Sequence, residues 1–143
     1  KTTGLGRNGW MYQQILDKPV ELGIEDRVIF TGFVPTEELP YLIAGAKAYC
    51  LVSLWEGFGI PVLEAMACGV PAVVSNVSSL PEVVGEGGLL VNPLSVDQIE
   101  IAIRSLVTDT KLHDRLAKKA LAQAEIFSWE KMAKGLMKAI NSL

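Results

Sequence analysis

The stretch SLWEGFGIPVLEAMACGVPAVVS, residues 53–75, decides how this chain folds. It opens at the end of an apolar run, AYCLVS at 48–53, and closes on another, PAVVS at 71–75. Between them come two glycines around Phe58, then Pro61, an apolar segment and Gly69. Proline favours the first turn of a helix, and glycine favours the position just past its end. The stretch therefore predicts strand, glycine turn, helix from Pro61 to Gly69, and strand.

Two further apolar runs flank it, RVIFTG at 27–32 and GGLLV at 87–91. None of the four alternates polar with apolar. Continuous apolar runs fit strands covered on both faces, as in parallel sheets. Helical segments separate most of them, so the expected class is α/β: a Rossmann-like, doubly wound parallel sheet. KTTGLG at 1–6 looks like the tail of an earlier strand, and Lys1 is not a start methionine, so residues are expected to precede it. WMYQQIL puts Trp10, Ile15 and Leu16 near one helical face, with Pro19 expected to end or restart that helix. In PTEELPYLIAGA, Thr36 is a candidate N-cap and Pro40 keeps the helix short or kinked.

The last third reads as helices. Ser95 and Gln98 have capping-box spacing, and Ile99, Ala102, Ile103, Leu106 and Val107 repeat behind them at helical spacing. Two more amphipathic helices follow, the last capped by Ser128. Its stripe of Trp129, Met132, Leu136 and Ile140 is expected to be core.

The chain has 143 residues, is half hydrophobic and carries a net charge of −3. That reads as a single domain over 1–143 with no electrostatic case for nucleic acid. Lys118 and Lys119 read as a solvated helix face. Cys50 and Cys68 lie in apolar runs and are expected to be buried thiols in a reducing compartment. His113, the one histidine, is expected to be exposed among charged residues. Two cysteines and one histidine cannot build a structural zinc site. No apolar run reaches the length that spans a membrane.

In an open parallel sheet, ligands bind at the carboxyl ends of strands. The glycine loop at 57–59 falls there, with a helix N-terminus directed at it. Such a terminus offers unpaired amides and about half a positive charge, and glycines let a phosphate approach the backbone. Phe58, Gly59, Ile60 and Val62 are the expected amide donors. Glu56 and Glu64 flank the loop with seven residues between them. A carboxylate beside a phosphate repels it unless it has another task, and accepting hydrogen bonds from sugar hydroxyls is such a task. Phosphate at the centre with carboxylates on either side is the outline of a nucleotide sugar. The plainer reading stands beside it: Glu64 can favour the helix dipole and Glu56 can cap a turn.

The residues SLWEGFGIPVLEAMACGVPAVVSNVSSLPEVVGEGGLLVNP, together with RVIFTGFVPTEELPYLIAGA upstream, closely resemble group 1 retaining glycosyltransferases. Their E-x7-E element matches Glu56 and Glu64. The resemblance covers nearly the whole chain. It implies one half of a two-domain GT-B fold, the C-terminal half, which binds a nucleoside diphosphate sugar. By resemblance, Glu56 would be the catalytic-site acid holding donor-sugar hydroxyls. Gly57 and the amides of Phe58, Gly59 and Ile60 would meet the sugar and diphosphate. Glu64 would bind the ribose, with Leu63 beside the nucleoside, and Gly32 and Val34 would contact the base. The implied reaction moves a sugar to a hydroxyl with its anomeric configuration kept, needs no metal or other cofactor, and runs in the cytoplasm. The acceptor site, and any association with the inner membrane surface, would belong to the N-terminal domain. The family's diphosphate-binding Arg and Lys would precede residue 1, and Arg7 does not match them. Alone, the chain is expected to bind donor weakly and turn over nothing.

Two rival readings remain. Gly4, Gly6 and Gly9 match G-x-G-x-x-G, the fingerprint of NAD-type oxidoreductases. The acid expected about twenty residues on should end the next strand, whereas Glu25 and Asp26 precede it. The other rival is a non-catalytic, Rossmann-like regulatory module.

Overall fold

The computed structural model describes residues 1–4 and 12–142. Arg7, Gly6, Gly9 and Trp10, which carry the fingerprint and the start of the expected first helix, lie outside the described residues. The chain forms two compact units, Lys1–Leu39 and Pro40–Leu143.

In the first unit, strand β1 (Thr2–Gly4) lies parallel to β2 (Val28–Phe30), with Thr3 opposite Ile29. Helix α1 (Gln13–Glu21) comes between them in sequence. It runs through Pro19, contrary to expectation. Proline removes one N–H from a helix but keeps its carbonyl, and the Pro19 carbonyl accepts from the Ile24 amide at 2.9 Å. The β2 run is half-exposed at Ile29 and Phe30, 44% and 43%, so it is not covered on both faces as its composition predicts. Thr36 caps no helix: the Pro35 carbonyl accepts from Glu38 and Leu39 instead. Helix α2 (Leu39–Ala44) starts there and runs into the second unit. Pro40 lies in its first turn, where proline is tolerated, so the helix is short without Pro40 breaking it, and Gly45 stands just past its end.

The second unit holds the remaining strands, β3 (Tyr49–Leu51), β4 (Ala72–Ser75) and β5 (Gly88–Val91), all parallel in the order β3-β4-β5. Between and after them run α3 (Ile60–Ala67), α4 (Leu80–Val84), α5 (Val96–Thr108), α6 (Thr110–Ala124) and α7 (Trp129–Ile140). β4 is central and buried at every residue. Side chains alternate across a strand, so Ala72 and Val74 meet Val62 and Met66 of α3 and Leu80, Val83 and Val84 of α4. Val73 faces the other way, onto Ala102 and Leu106 of α5. Helix α6 serves both clusters, Ala120 joining the first and Leu116 the second, one turn apart. A sheet with helices on both faces is the expected parallel α/β arrangement.

The helix ends follow local chemistry. Gly69, at φ +76°, ends α3: its amide meets the Met66 carbonyl at 2.9 Å and the Val70 amide meets Ala65 at 3.0 Å, a Schellman closure. Ser95 Oγ accepts from the Gln98 amide, while Gln98 Oε1 accepts from the Asn92 amide rather than closing the box on Ser95. Ser128 Oγ accepts from the Lys131 amide at 3.1 Å.

Three expectations about burial fail. Cys50 is exposed and Cys68 half-buried. β3 is an edge strand of its three-stranded sheet, so an apolar run there is not covered as β4 is. His113 is half-buried and sits 3.2 Å from Asp114. The α7 stripe is not core: Trp129, Met132, Leu136 and Ile140 are 54–73% exposed. Helical spacing identifies an apolar face but not what covers it.

Candidate functional site

β3 and β4 are parallel neighbours, with Leu51 opposite Val74. The segments that follow them therefore emerge side by side at one end of the sheet. One is the loop 52–59, the other the serine-rich turn SNVSS at 75–79.

The loop enters α3 through Gly59, the N-cap, at φ +99° and ψ +39°. That left-handed conformation suits glycine. The space beside it also demands glycine, because a Cβ there would stand 2.8 Å from Leu80 Cδ2. Gly57 differs: nothing lies within 4 Å of a Cβ at that position. The Gly59 carbonyl accepts from the Val62 amide at 2.9 Å and the Leu63 amide at 3.4 Å. Val62 is thus committed to the helix and fully buried, so it drops out as a donor for a ligand. Among the described residues, the amides of Gly57, Phe58, Gly59 and Ile60 have no acceptor. These are the orphan donors of a helix N-terminus, extended backwards by the loop. The Phe58 ring is held by an edge-on contact with Phe127, centroids 5.8 Å apart.

Glu56 is half-buried and Glu64 exposed. Ser53 Oγ reaches Glu56 Oε2 at a long 3.4 Å. Both acids lie within electrostatic reach of Tyr49, whose phenol is pushed above its ordinary value by burial, then by the Glu64 carboxylate, the Cys50 thiolate and the Glu56 carboxylate. One phenol thus feels both carboxylates. Leu63, half-buried, packs against the α3–α4 core cluster. Gly32, at φ +63°, and Val34 sit in the loop after β2, in the first unit. Among the described residues, no group of three or more His, Cys, Asp or Glu side chains is placed to hold a metal.

Sequence reasoning missed the serines. Ser75, buried, donates to the Ser53 carbonyl at 2.6 Å. Ser78 Oγ accepts from the Glu56 amide at 3.0 Å and donates to the Glu56 carbonyl at 2.9 Å. Ser79 Oγ donates to the Phe58 carbonyl at 3.0 Å. SNVSS reads locally as a turn, and nothing local says whose backbone its hydroxyls will hold.

The family described as "Glycosyl transferases group 1" matches residues 6–123 of this sequence. The chain belongs to the group 1 glycosyltransferases. It is 47% identical over 126 residues to O-antigen chain mannosyltransferase B of Escherichia coli, covering 87% of this chain and 33% of that protein. It is 41% identical over 117 residues to the MMP alpha-(1->4)-mannosyltransferase of Mycolicibacterium hassiacum, covering 79% of this chain and 28% of that one. Among solved structures, Anabaena HepE in complex with UDP superposes with a TM-score of 0.87 at 27% identity, over 99% of this chain and 40% of that one. The chain therefore spans about a third of the length of these glycosyltransferases, and its fold is that of a GT-B domain. Family membership displaces the oxidoreductase reading of Gly4, Gly6 and Gly9. Chemically, the loop offers hydrogen-bond donors to an anion, and Glu56 in the loop and Glu64 on α3 offer acceptors to hydroxyls.

Proposed function

We propose that this chain is the C-terminal, donor-binding domain of a retaining glycosyltransferase that moves a sugar, mannose in the first instance, from a nucleoside diphosphate to an acceptor hydroxyl. The observation that carries this reading is the set of amides at 57–60 without acceptors among the described residues, at a left-handed glycine cap. Mannose is proposed because the two relatives above are mannosyltransferases. A nucleotide-sugar donor is proposed also because HepE has been solved with UDP and with UDP-glucose.

In the proposed reaction the bond from the anomeric carbon to the diphosphate oxygen breaks, and the diphosphate keeps the electron pair. The acceptor oxygen forms the new bond on the same face, and its proton passes to the departing diphosphate oxygen. Charge grows on the departing diphosphate. The amides of Gly57, Phe58, Gly59 and Ile60 would stabilise that charge, a preorganised electrostatic effect. Glu56 would orient the sugar hydroxyls at the reacting carbon. Glu64 would hold the ribose, and Leu63 would pack beside it. No metal is assigned to the step. The acceptor site is assigned to an N-terminal domain, and the location to the cytoplasm. Among the described residues, no helix is long and apolar enough to cross a membrane.

Isothermal titration of the chain with UDP, GDP, ADP, NAD and the matching mannose and glucose conjugates tests the reading. A nucleoside diphosphate should bind, NAD should not, and the preferred conjugate should contain mannose. Binding of none of the nucleoside diphosphates would refute the donor-domain assignment. Binding of a nucleoside diphosphate with no gain from any sugar would favour the regulatory-module alternative.

A further inference from the structure

Two consecutive residues in the turn after β4 break local rules. Ser78 stands at φ +57°, the one non-glycine residue with positive φ among those described. A side chain there is strained, and such strain persists where the surroundings impose it. Ser79 occupies the N-cap of α4, where a serine normally accepts from the first turn, yet it makes no such bond. Both hydroxyls are committed instead to the backbone of the loop before α3. Ser78 grips Glu56 at its amide and its carbonyl, at 3.0 and 2.9 Å. Ser79 donates to the Phe58 carbonyl at 3.0 Å and, more weakly, to Glu56 at 3.4 Å.

The consequence follows from the peptide plane. A trans peptide holds the carbonyl of one residue antiparallel to the N–H of the next, and no cis bond occurs among the described residues. Pulling the Glu56 carbonyl toward Ser78 turns the Gly57 amide the opposite way. Pulling the Phe58 carbonyl toward Ser79 does the same for Gly59. The Gly59 carbonyl is held inside the helix by Val62 and Leu63, which turns the Ile60 amide outward. Three amides are thus aimed by fixing the carbonyls behind them.

We propose that Ser78 and Ser79 are positioning residues that lock the 56–57 and 58–59 peptide planes so that the Gly57 and Gly59 amides face an anionic diphosphate. This rests on the donor-domain reading. A diphosphate then meets donors already oriented, and no hydrogen bond to the loop must be broken on binding. Without the two hydroxyls the planes can rotate, and a carbonyl oxygen can turn toward the anion. The strain at Ser78 fits this role, since glycine would relieve it but could not hold Glu56.

The test compares Ser78→Gly, Ser79→Ala, the double variant and Ser79→Thr in the full chain. Calorimetry measures affinity for UDP, GDP and ADP and for uridine, guanosine and adenosine, and thermal unfolding is followed in parallel. Each lost hydroxyl should weaken the preferred nucleoside diphosphate roughly two- to tenfold, the range of one neutral hydrogen bond. The matching nucleoside should be unaffected, Ser78→Gly should not lower the melting temperature, and Ser79→Thr should restore binding. Parental affinity in the double variant, or equal losses for nucleoside and diphosphate, would overturn the positioning role while leaving the site reading intact. A parent chain that binds no nucleoside diphosphate would refute the donor reading, and the positioning role with it.

Discussion

Replacing Gly59 by alanine tests how the loop is built, independently of any ligand. Two costs arise. The backbone at φ +99° lies in the left-handed half of the map, where a Cβ costs about 1–2 kcal/mol. The new methyl would also stand 2.8 Å from Leu80 Cδ2. Leu80 is fully buried among α3, α4 and β4, so it cannot swing into solvent, and overpacking of this kind costs about 1–3 kcal/mol. Gly59→Ala should therefore destabilise the second unit by about 2–5 kcal/mol. Urea unfolding followed by circular dichroism should show this as a lower midpoint at unchanged slope. A double-mutant cycle with Leu80→Ala separates the two costs. Removing the Leu80 side chain abolishes the overlap but not the backbone strain. In that background Gly59→Ala should cost only about 1–2 kcal/mol. The control is Gly57→Ala, where a Cβ meets open space and stability should change by less than about 0.5 kcal/mol. A Gly59→Ala cost under about 1 kcal/mol, or the same cost with and without Leu80, would refute the account of how this turn is packed.

Under the proposed function, Glu64→Ala should weaken nucleotide binding by about 1.5–3 kcal/mol, the worth of a hydrogen bond to a charged group; calorimetry showing parental affinity with an intact fold would remove Glu64 from the site. Glu56→Ala should reduce affinity for the sugar-bearing donor more than for the bare nucleotide, and equal losses would contradict its role at the sugar. Tyr49 is held protonated above its ordinary value of 10.0. The raised value adds a stability that is fully present below that ordinary value and lost as pH rises through the higher folded one. Thermal melts from pH 8 upward should show a steeper alkaline decline in the parent than in Tyr49→Phe, and parallel profiles would contradict this. The exposed stripe of α7 should be energetically quiet: Met132→Gln with Leu136→Gln should shift stability by less than about 0.5 kcal/mol each. Leu106→Ala in the buried cluster should cost about 2–5 kcal/mol.

How much of this was legible from residues alone depends on the range of the interaction. Gly59, Pro61 and Gly69 announce a glycine turn, a helix and its stop, because those preferences reside in a few neighbouring dihedrals. The Ser95 and Ser128 caps are local in the same sense. The apolar runs of β3, β4 and β5 point to a parallel α/β sheet, although only β4 among them is buried at every residue. Burial is different. Cys50 and Val73 sit opposite each other in the register and read alike in sequence, yet one is on an edge strand and exposed while the other is central and buried. The stripe on α7 has core spacing without a core to join. The serine clamp was least legible, since Ser78 and Glu56 are 22 residues apart. Only the parallel pairing of β3 and β4 puts their following loops side by side. Helix and turn chemistry is written over three or four neighbouring positions. Which hydroxyl holds which carbonyl depends on strand order, and strand order arises from the packing of the whole sheet.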